Sequence, residues 1–231
     1  MIPLRDTIPS YKKPLITLSL IAANIAVYLY QSLLSPNGFI NFIYTNGFIP
    51  LRLTRAVFTT EQPVFEAAYP LFTGIFMHGS LFHLISNMWI LWLFGDNVED
   101  KMGHRRFFIF YLICGISASV AHYIFNINSP FPAVGASGAI AGVMGAYFIL
   151  FPNSQIITLV PLFFLPLFIP IPAVVYLFFW FLSQLYSGAL HSLGANRAMG
   201  GIAWWAHSGG FVAGMILQKY FIKKKNYYSY W

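Results

Sequence analysis

Apolar residues run through this chain in blocks of about twenty, broken by short clusters of charge, proline or glycine, without the strict alternation of a half-buried strand. The first block extends from Pro14 to about Leu34, the second from Leu81 to Val98, and the third from about Arg106 to Asn126. The fourth opens at Ser137 and ends near Pro152, the fifth runs from near Pro172 to Leu190, and the sixth from Ala203 to Ile222. The pattern predicts an all-α integral membrane protein: a bundle of six transmembrane helices over residues 14–222, with short cytoplasmic tails at 1–13 and 223–231. The first block is long for a signal peptide and no small-residue cleavage site follows it, so it reads as a retained helix.

Two stretches depart from that pattern. Residues 35–79 carry Phe39, Phe42, Tyr44, Phe48, Phe58, Phe65, Tyr69 and Phe72 among Pro50, Pro63 and Pro70. Aromatic rings favour the membrane interface, so a long first loop partly sunk in the outer leaflet is expected. Residues 156–172 are apolar enough for a span, yet Pro161, Pro166, Pro170 and Pro172 each remove a donor and clash with a preceding turn. This stretch is expected at the interface, because irregular backbone is not tolerated against lipid.

Composition narrows the class. Of 231 residues 58% are hydrophobic and 8% charged, too few charges to coat a soluble globule. The formal charge of +7 raises the possibility of a nucleic acid partner, but the basic residues flank the apolar blocks and read as topology. With the N-terminus inside, Arg5, Lys12, Lys13, Lys101, Arg105, Arg106, Lys219, Lys223, Lys224 and Lys225 face the cytoplasm, and only Arg52, Arg55 and Arg197 lie outside. A compact core of this kind suits a bacterial plasma membrane. The single Cys114 excludes a disulfide framework within the chain and a thiolate metal cluster, and reads as a packing residue. No metal is expected.

The chemistry centres on Gly135-Ala136-Ser137-Gly138-Ala139-Ile140-Ala141-Gly142. Ser137 has two readings: a helix cap followed by a close-packing stripe, or a nucleophile whose neighbouring N–H groups, free at a helix start, hold an oxyanion. A base decides between them. In the predicted topology the even-numbered helices all run inward, so His83 and Asn87, Ser137, and His207 come early in three of them at a similar depth. From Ser137 to Phe151 the fourth helix measures roughly 22 Å at about 1.5 Å per residue, against a hydrocarbon core of about 30 Å. Its start is therefore expected below the outer surface, in a cavity that water enters from outside.

His207 is the candidate base, since a histidine in a span is costly without a partner, although a neighbouring carbonyl would also satisfy it. Gly138 with Gly142, and Gly210 with Gly214, form two small-xxx-small stripes that let the fourth and sixth helices approach closely enough for a Ser–His hydrogen bond. His83 and Asn87 share a helix face, either as oxyanion donors or as an interhelical clasp. His78 would lie about 140° around a helix from His83, which counts against a metal pair and places it in the loop above, supporting the site. Of the acidic residues, Asp6 belongs to the inner tail, Glu61 and Glu66 to the first loop, and Asp96, Glu99 and Asp100 to the inner end of the second helix. None lies in the outer half of a span, so the dyad is expected to lack an orienting carboxylate. His104, His122 and His191 stand at span ends, where an imidazole needs no catalytic role.

The blocks His78-Gly79-Ser80-Leu81-Phe82-His83-Leu84-Ile85-Ser86-Asn87-Met88-Trp89, Gly95 with Glu99 and Gly103, Gly135-Ala136-Ser137-Gly138, and Ala206-His207-Ser208-Gly209-Gly210 resemble, in order, the signature of the rhomboid intramembrane serine proteases. The resemblance covers nearly all of residues 14–222. It implies a six-helix rhomboid core that cuts peptide bonds in or near the transmembrane segments of single-pass substrates through an acyl-enzyme, without a cofactor. It assigns Ser137 as nucleophile, His207 as general base and acid, His83, Asn87 and the Ser137 N–H as oxyanion donors, and His78 as their support.

Two departures stand out. The first loop lacks the Trp-Arg pair of some rhomboids, and Ala141 replaces an aromatic ring that in some rhomboids lies against the base, leaving its orientation to Trp204, Trp205 or Tyr147. Substrate is expected to enter by displacement of the fifth helix and a cap loop near Leu193 to Gly201. The rivals are a catalytically inactive rhomboid-like helix-binding protein, whose kind generally lacks the serine or histidine, a small transporter, and a haem cytochrome. The absence of an inverted repeat and of midplane acids counts against the transporter. The sequence sets no oligomeric state.

Overall fold

A computed structural model describes residues 1–59, 62–162, 165–193 and 202–223. Glu61, Arg197 with most of the expected cap loop, and the tail from Lys224 onward lie outside the described residues. The described chain is mostly helical. Its long elements are α1 (Leu15–Leu33), α6 (Leu81–Met102), α7 (His104–Phe125), α8 (Ser137–Leu150), α9 (Ala173–Leu193) and α10 (Trp204–Phe221). By length and composition α1, α7 and α9 suffice to cross a membrane, and α8 is apolar but shorter.

The first loop is more regular than its prolines suggest. It folds as α2 (Pro36–Asn46), α3 (Pro50–Phe58), α4 (Val64–Ala68) and α5 (Pro70–Thr73), followed by a 3-10 turn at Gly74–Phe76. Pro36, Pro50 and Pro70 sit in the first turn of their helices and Pro63 at an N-cap, where a missing N–H forfeits no intrahelical bond. These prolines start helices instead of interrupting a loop.

The expectation of an all-α chain fails at a three-stranded antiparallel sheet. Strand β1 (Ile2–Asp6) pairs with β2 (Gln155–Leu162), which pairs with β3 (Leu165–Pro172). The register runs Ile2↔Leu159 to Asp6↔Ile156 on one side and Gln155↔Pro172 to Leu162↔Leu165 on the other. Pro166, Pro170 and Pro172 occupy alternate positions of the edge strand β3, so their missing N–H groups fall on one side of it. On the outer side such a gap breaks no ladder bond, which is why prolines that forbid a helix are tolerated here. The N-terminal segment is correspondingly no free tail. Trp89 Nε1 donates to the Pro3 carbonyl at 2.7 Å, and Asp6 Oδ2 accepts from Asn97 Nδ2 at 2.9 Å and from the Tyr147 hydroxyl at 2.5 Å.

α6 runs beyond the expected Val98 because the polar groups at its end find partners. Glu99, 2% exposed, accepts the N–H groups of Ile16 and Thr17 at 2.9 and 2.8 Å and the Thr17 hydroxyl at 2.7 Å. Pro14 offers α1 no side-chain cap, so a carboxylate from another helix satisfies its first turn, where the helix dipole favours an anion. His104 Nδ1 lies 2.5 Å from the same carboxylate.

Ten consecutive residues of α8, Gly138 to Tyr147, are buried. A Cβ at Gly138 would lie 2.6 Å from Cβ of Ala118, and one at Gly142 would lie 2.6 Å from Sγ of Cys114. Cβ atoms at Gly210, Gly214 and Gly145 would run into the carbonyl oxygens of Gly138, Gly142 and Phe211 respectively. α8 and α10 therefore meet main chain to main chain, with α7 behind them. The outer faces carry exposed apolar side chains such as Leu29, Phe178, Phe179, Leu182 and Ile216, as lipid contact requires.

Two consequences are measurable by thermal unfolding in detergent. Gly214→Leu must separate two backbones and is expected to cost at least about 2 kcal/mol, against less than about 0.5 kcal/mol for the exposed control Val212→Leu. Glu99→Ala strands the first turn of α1 and is expected to cost about 2–4 kcal/mol, with faster amide exchange at Ile16 and Thr17.

Candidate active site

The approach to α8 is held from two sides. Phe48 and Ala133 exchange backbone hydrogen bonds at 3.1 and 2.7 Å, and Gly135 N–H donates to the Gly74 carbonyl at 2.9 Å. Gly135 has φ of 129°, in the left-handed half of the map, and a Cβ there would lie 2.7 Å from Cε1 and 2.9 Å from Nε2 of His83. Glycine is required twice over, for conformation and for contact.

Ala136 is the N-cap of α8 and no side chain caps it, so Ser137 does not serve as a helix cap. The first ladder bond joins Ile140 N–H to the Ala136 carbonyl at 3.0 Å. The N–H groups of Ser137, Gly138 and Ala139 precede it and have no carbonyl one turn earlier in the helix. The Ser137 hydroxyl turns toward α10, with Oγ 2.8 Å from Nε2 of His207.

The other imidazole nitrogen, Nδ1, lies 2.8 Å from Oε1 of Gln184 on α9. None of the three residues expected to orient His207 makes this bond. Tyr147 donates to Asp6, Trp205 Nε1 donates to Ser192 Oγ at 3.0 Å, and Trp204 faces the imidazole only edge-on at 6.2 Å between centroids. Among the described residues no carboxylate joins Ser137 and Gln184 on the ring. Gln184 escaped sequence reasoning, although one signal existed: it falls at helical spacing in the stripe Ala173, Leu177, Gln184 and Gly188, whose other members are apolar or glycine.

A second cluster forms on α6. Asn87 Nδ2 lies 2.9 Å from Nε2 of His78, and the His78 and His83 rings pack edge to face at 5.1 Å. His78 is fully buried just before α6, and its backbone is gripped both ways by the Gln31 amide, at 3.2 Å each. Burial first, and the neighbouring His83 second, push the His78 pKa down to about 3, so the ring is neutral and its Nε2 can accept from Asn87. One N–H of the Asn87 amide is thereby engaged and the other left over, beside Gly135. His83 is half-buried against the same glycine, two residues before Ser137.

A cavity of about 30 Å³ touches Gly135, Ser137, Gly138, His122 and Ala206, and a larger one of about 340 Å³ adjoins it, bounded by the 125–133 loop, His191 and Trp204. His122 and His191 line the larger cavity, with His122 also bonded to Asn126 at 3.4 Å, while His104 belongs to the Glu99 pair. Among the described residues no group of three or more histidine, cysteine or acidic side chains could hold a metal. A hydroxyl on an imidazole, beside free helix-start N–H groups and a donor pair, has the layout for acyl transfer.

The Rhomboid domain family model matches residues 66–224. The chain is 45% identical over 76 residues to Rhomboid protease GluP of Bacillus subtilis, covering 33% of this chain and 14% of that protein. It is 30% identical over 156 residues to Rhomboid protein 1, mitochondrial, of Saccharomyces cerevisiae, covering 64% of this chain and 40% of that one. It is 29% identical over 131 residues to the mitochondrial presenilin-associated rhomboid-like protein of Bos taurus, covering 55% and 34%. The chain thus spans less than half the length of each of these relatives. With the Rhomboid domain matched over well more than half of its residues, the chain belongs to the rhomboid family.

Proposed function

We propose that this chain is an intramembrane serine endopeptidase, and the observation that carries the reading is the 2.8 Å contact between Ser137 Oγ and His207 Nε2. His207 takes the hydroxyl proton at Nε2 as Oγ attacks the scissile carbonyl carbon. Negative charge gathers on the carbonyl oxygen, where the Ser137 N–H, Asn87 and His83 can meet it. Collapse of the tetrahedral intermediate breaks the C–N bond, and His207 returns its proton to the leaving amine. Water then hydrolyses the Ser137 ester by the same steps in reverse roles.

The proposed substrates are single-pass membrane proteins. An intact helix hides its carbonyls in hydrogen bonds, so the segment that reaches Ser137 must be locally extended, and the 340 Å³ cavity that adjoins the small one at Ser137 is sized for a few such residues. No cofactor takes part in these steps. That GluP is named a rhomboid protease agrees with this reading, and the inactive helix-binding alternative has no structural feature in its favour, because the Ser–His contact is intact.

The reading includes six membrane crossings with both termini inside. Contacts between the ends of helices support it, since chain segments that touch on one membrane side must be separated by an even number of crossings. Four long helices separate paired β1 and β2, and two separate paired Phe48 and Ala133. Four separate Lys101, whose carbonyl accepts from Lys223 N–H at 3.2 Å, from its partner. The relatives include both a bacterial protein and mitochondrial ones, so kinship favours a membrane without favouring the bacterial plasma membrane expected from the compact core.

Cleavage of a single-pass substrate in liposomes tests the reading. Ser137→Ala and His207→Ala, at matched folding, are each expected to lower cleavage at least about 1,000-fold, and the double variant no further. Cutting that survives Ser137→Ala would sink the assignment. Asn87→Ala is expected to lower kcat on the order of a hundredfold with little change in KM, and a pure KM effect would remove Asn87 from the oxyanion site.

A further inference from the structure

The partners of Gln184 determine which way its amide faces. Its Nε2 donates to Ser183 Oγ at 2.9 Å and to the Trp180 carbonyl at 3.3 Å, and the Ser183 hydroxyl is itself committed as a donor to that carbonyl at 2.6 Å. The serine oxygen and the carbonyl oxygen can therefore only accept from Gln184, which leaves Oε1 toward His207. An oxygen acceptor 2.8 Å from Nδ1 requires the proton on Nδ1. Nε2 is then the unprotonated nitrogen, and it faces the Ser137 hydroxyl.

We infer that Gln184 is a positioning residue that selects the reactive tautomer of His207, in the place where the three-part template uses a buried carboxylate. The inference rests on the endopeptidase reading and adds a coupling to it. Ala173, Leu177, Gln184 and Gly188 are the buried residues of α9, and Trp180 and Phe181 pack beside them on Phe211 of α10, so the helix is seated by one face with Gln184 in it. Outward displacement of α9 withdraws Oε1 from the imidazole. Seating of this helix and alignment of the base are thus one event, and a site opened at α9 is catalytically unaligned until the helix returns.

Kinetics of the full chain on a single-pass substrate in liposomes, with Ser137 labelling by a fluorophosphonate, test the inference. Gln184→Leu is expected to lower kcat and the labelling rate on the order of tenfold at unchanged KM. Gln184→Glu, which keeps an acceptor of the same reach, is expected to retain most of the activity. Ser183→Ala alters an exposed residue and frees the amide to turn, so it is expected to lower kcat about threefold with no change in unfolding temperature. A kcat for Gln184→Leu within about twofold of wild type overturns the inference, as does an equal loss in the Leu and Glu variants, which would mark a packing role. Wild-type protein that neither cuts substrate nor labels at Ser137 overturns the endopeptidase reading itself, a result distinct from either of these.

Discussion

Two helices that touch without side chains between them set the position of everything else in this molecule. Along α8 and α10 the carbonyls of Gly138 and Gly142 lie where Cβ atoms of Gly210 and Gly214 would be. Ser137 immediately precedes the first of these contacts and His207 lies one turn before its partner on α10. The serine and histidine are short side chains, and a hydrogen bond of 2.8 Å between them leaves no room for an ordinary interhelical distance of 8–10 Å filled by larger residues. The glycines act on the chemistry through distance alone.

Holding α8 at both ends is a separate problem, and it is solved with polar groups. At its start, Gly135 is wedged against His83 and tied to Gly74, while toward its far end Tyr147 is bonded to Asp6. Glu99 does a comparable service for α1 by ending its unsatisfied first turn. In each case a group from a distant part of the sequence completes a helix that cannot complete itself, so the apolar bundle is located by a few polar contacts near its ends.

What could be read from the sequence follows from how local each signal is. Ser137, His207 and the glycine stripes are visible because a small-residue run and a histidine in a span are unusual within a single window, and each lies on the element that positions it. The long helices of the described residues were visible as apolar blocks. Three features were hidden. The prolines of residues 35–79 look like breakers until one sees that each begins a helix. The sheet joins residues 2–6 to 155–162 across most of the chain, and no local pattern announces a partner that far away. Gln184 acts across 23 residues on a different helix, and its polarity could equally have faced a neighbouring carbonyl.

The sheet also imposes an order on biosynthesis. β1 is made before its pairing partners at 156–159, so it waits without a strand to join while four long helices are built. At about 5–20 residues per second that interval is roughly ten to thirty seconds. The bond from Tyr147 of α8 to Asp6 closes only after the segment carrying Ser137 is made, and β1 clasps that half of the bundle before α9 and α10, with His207, are added.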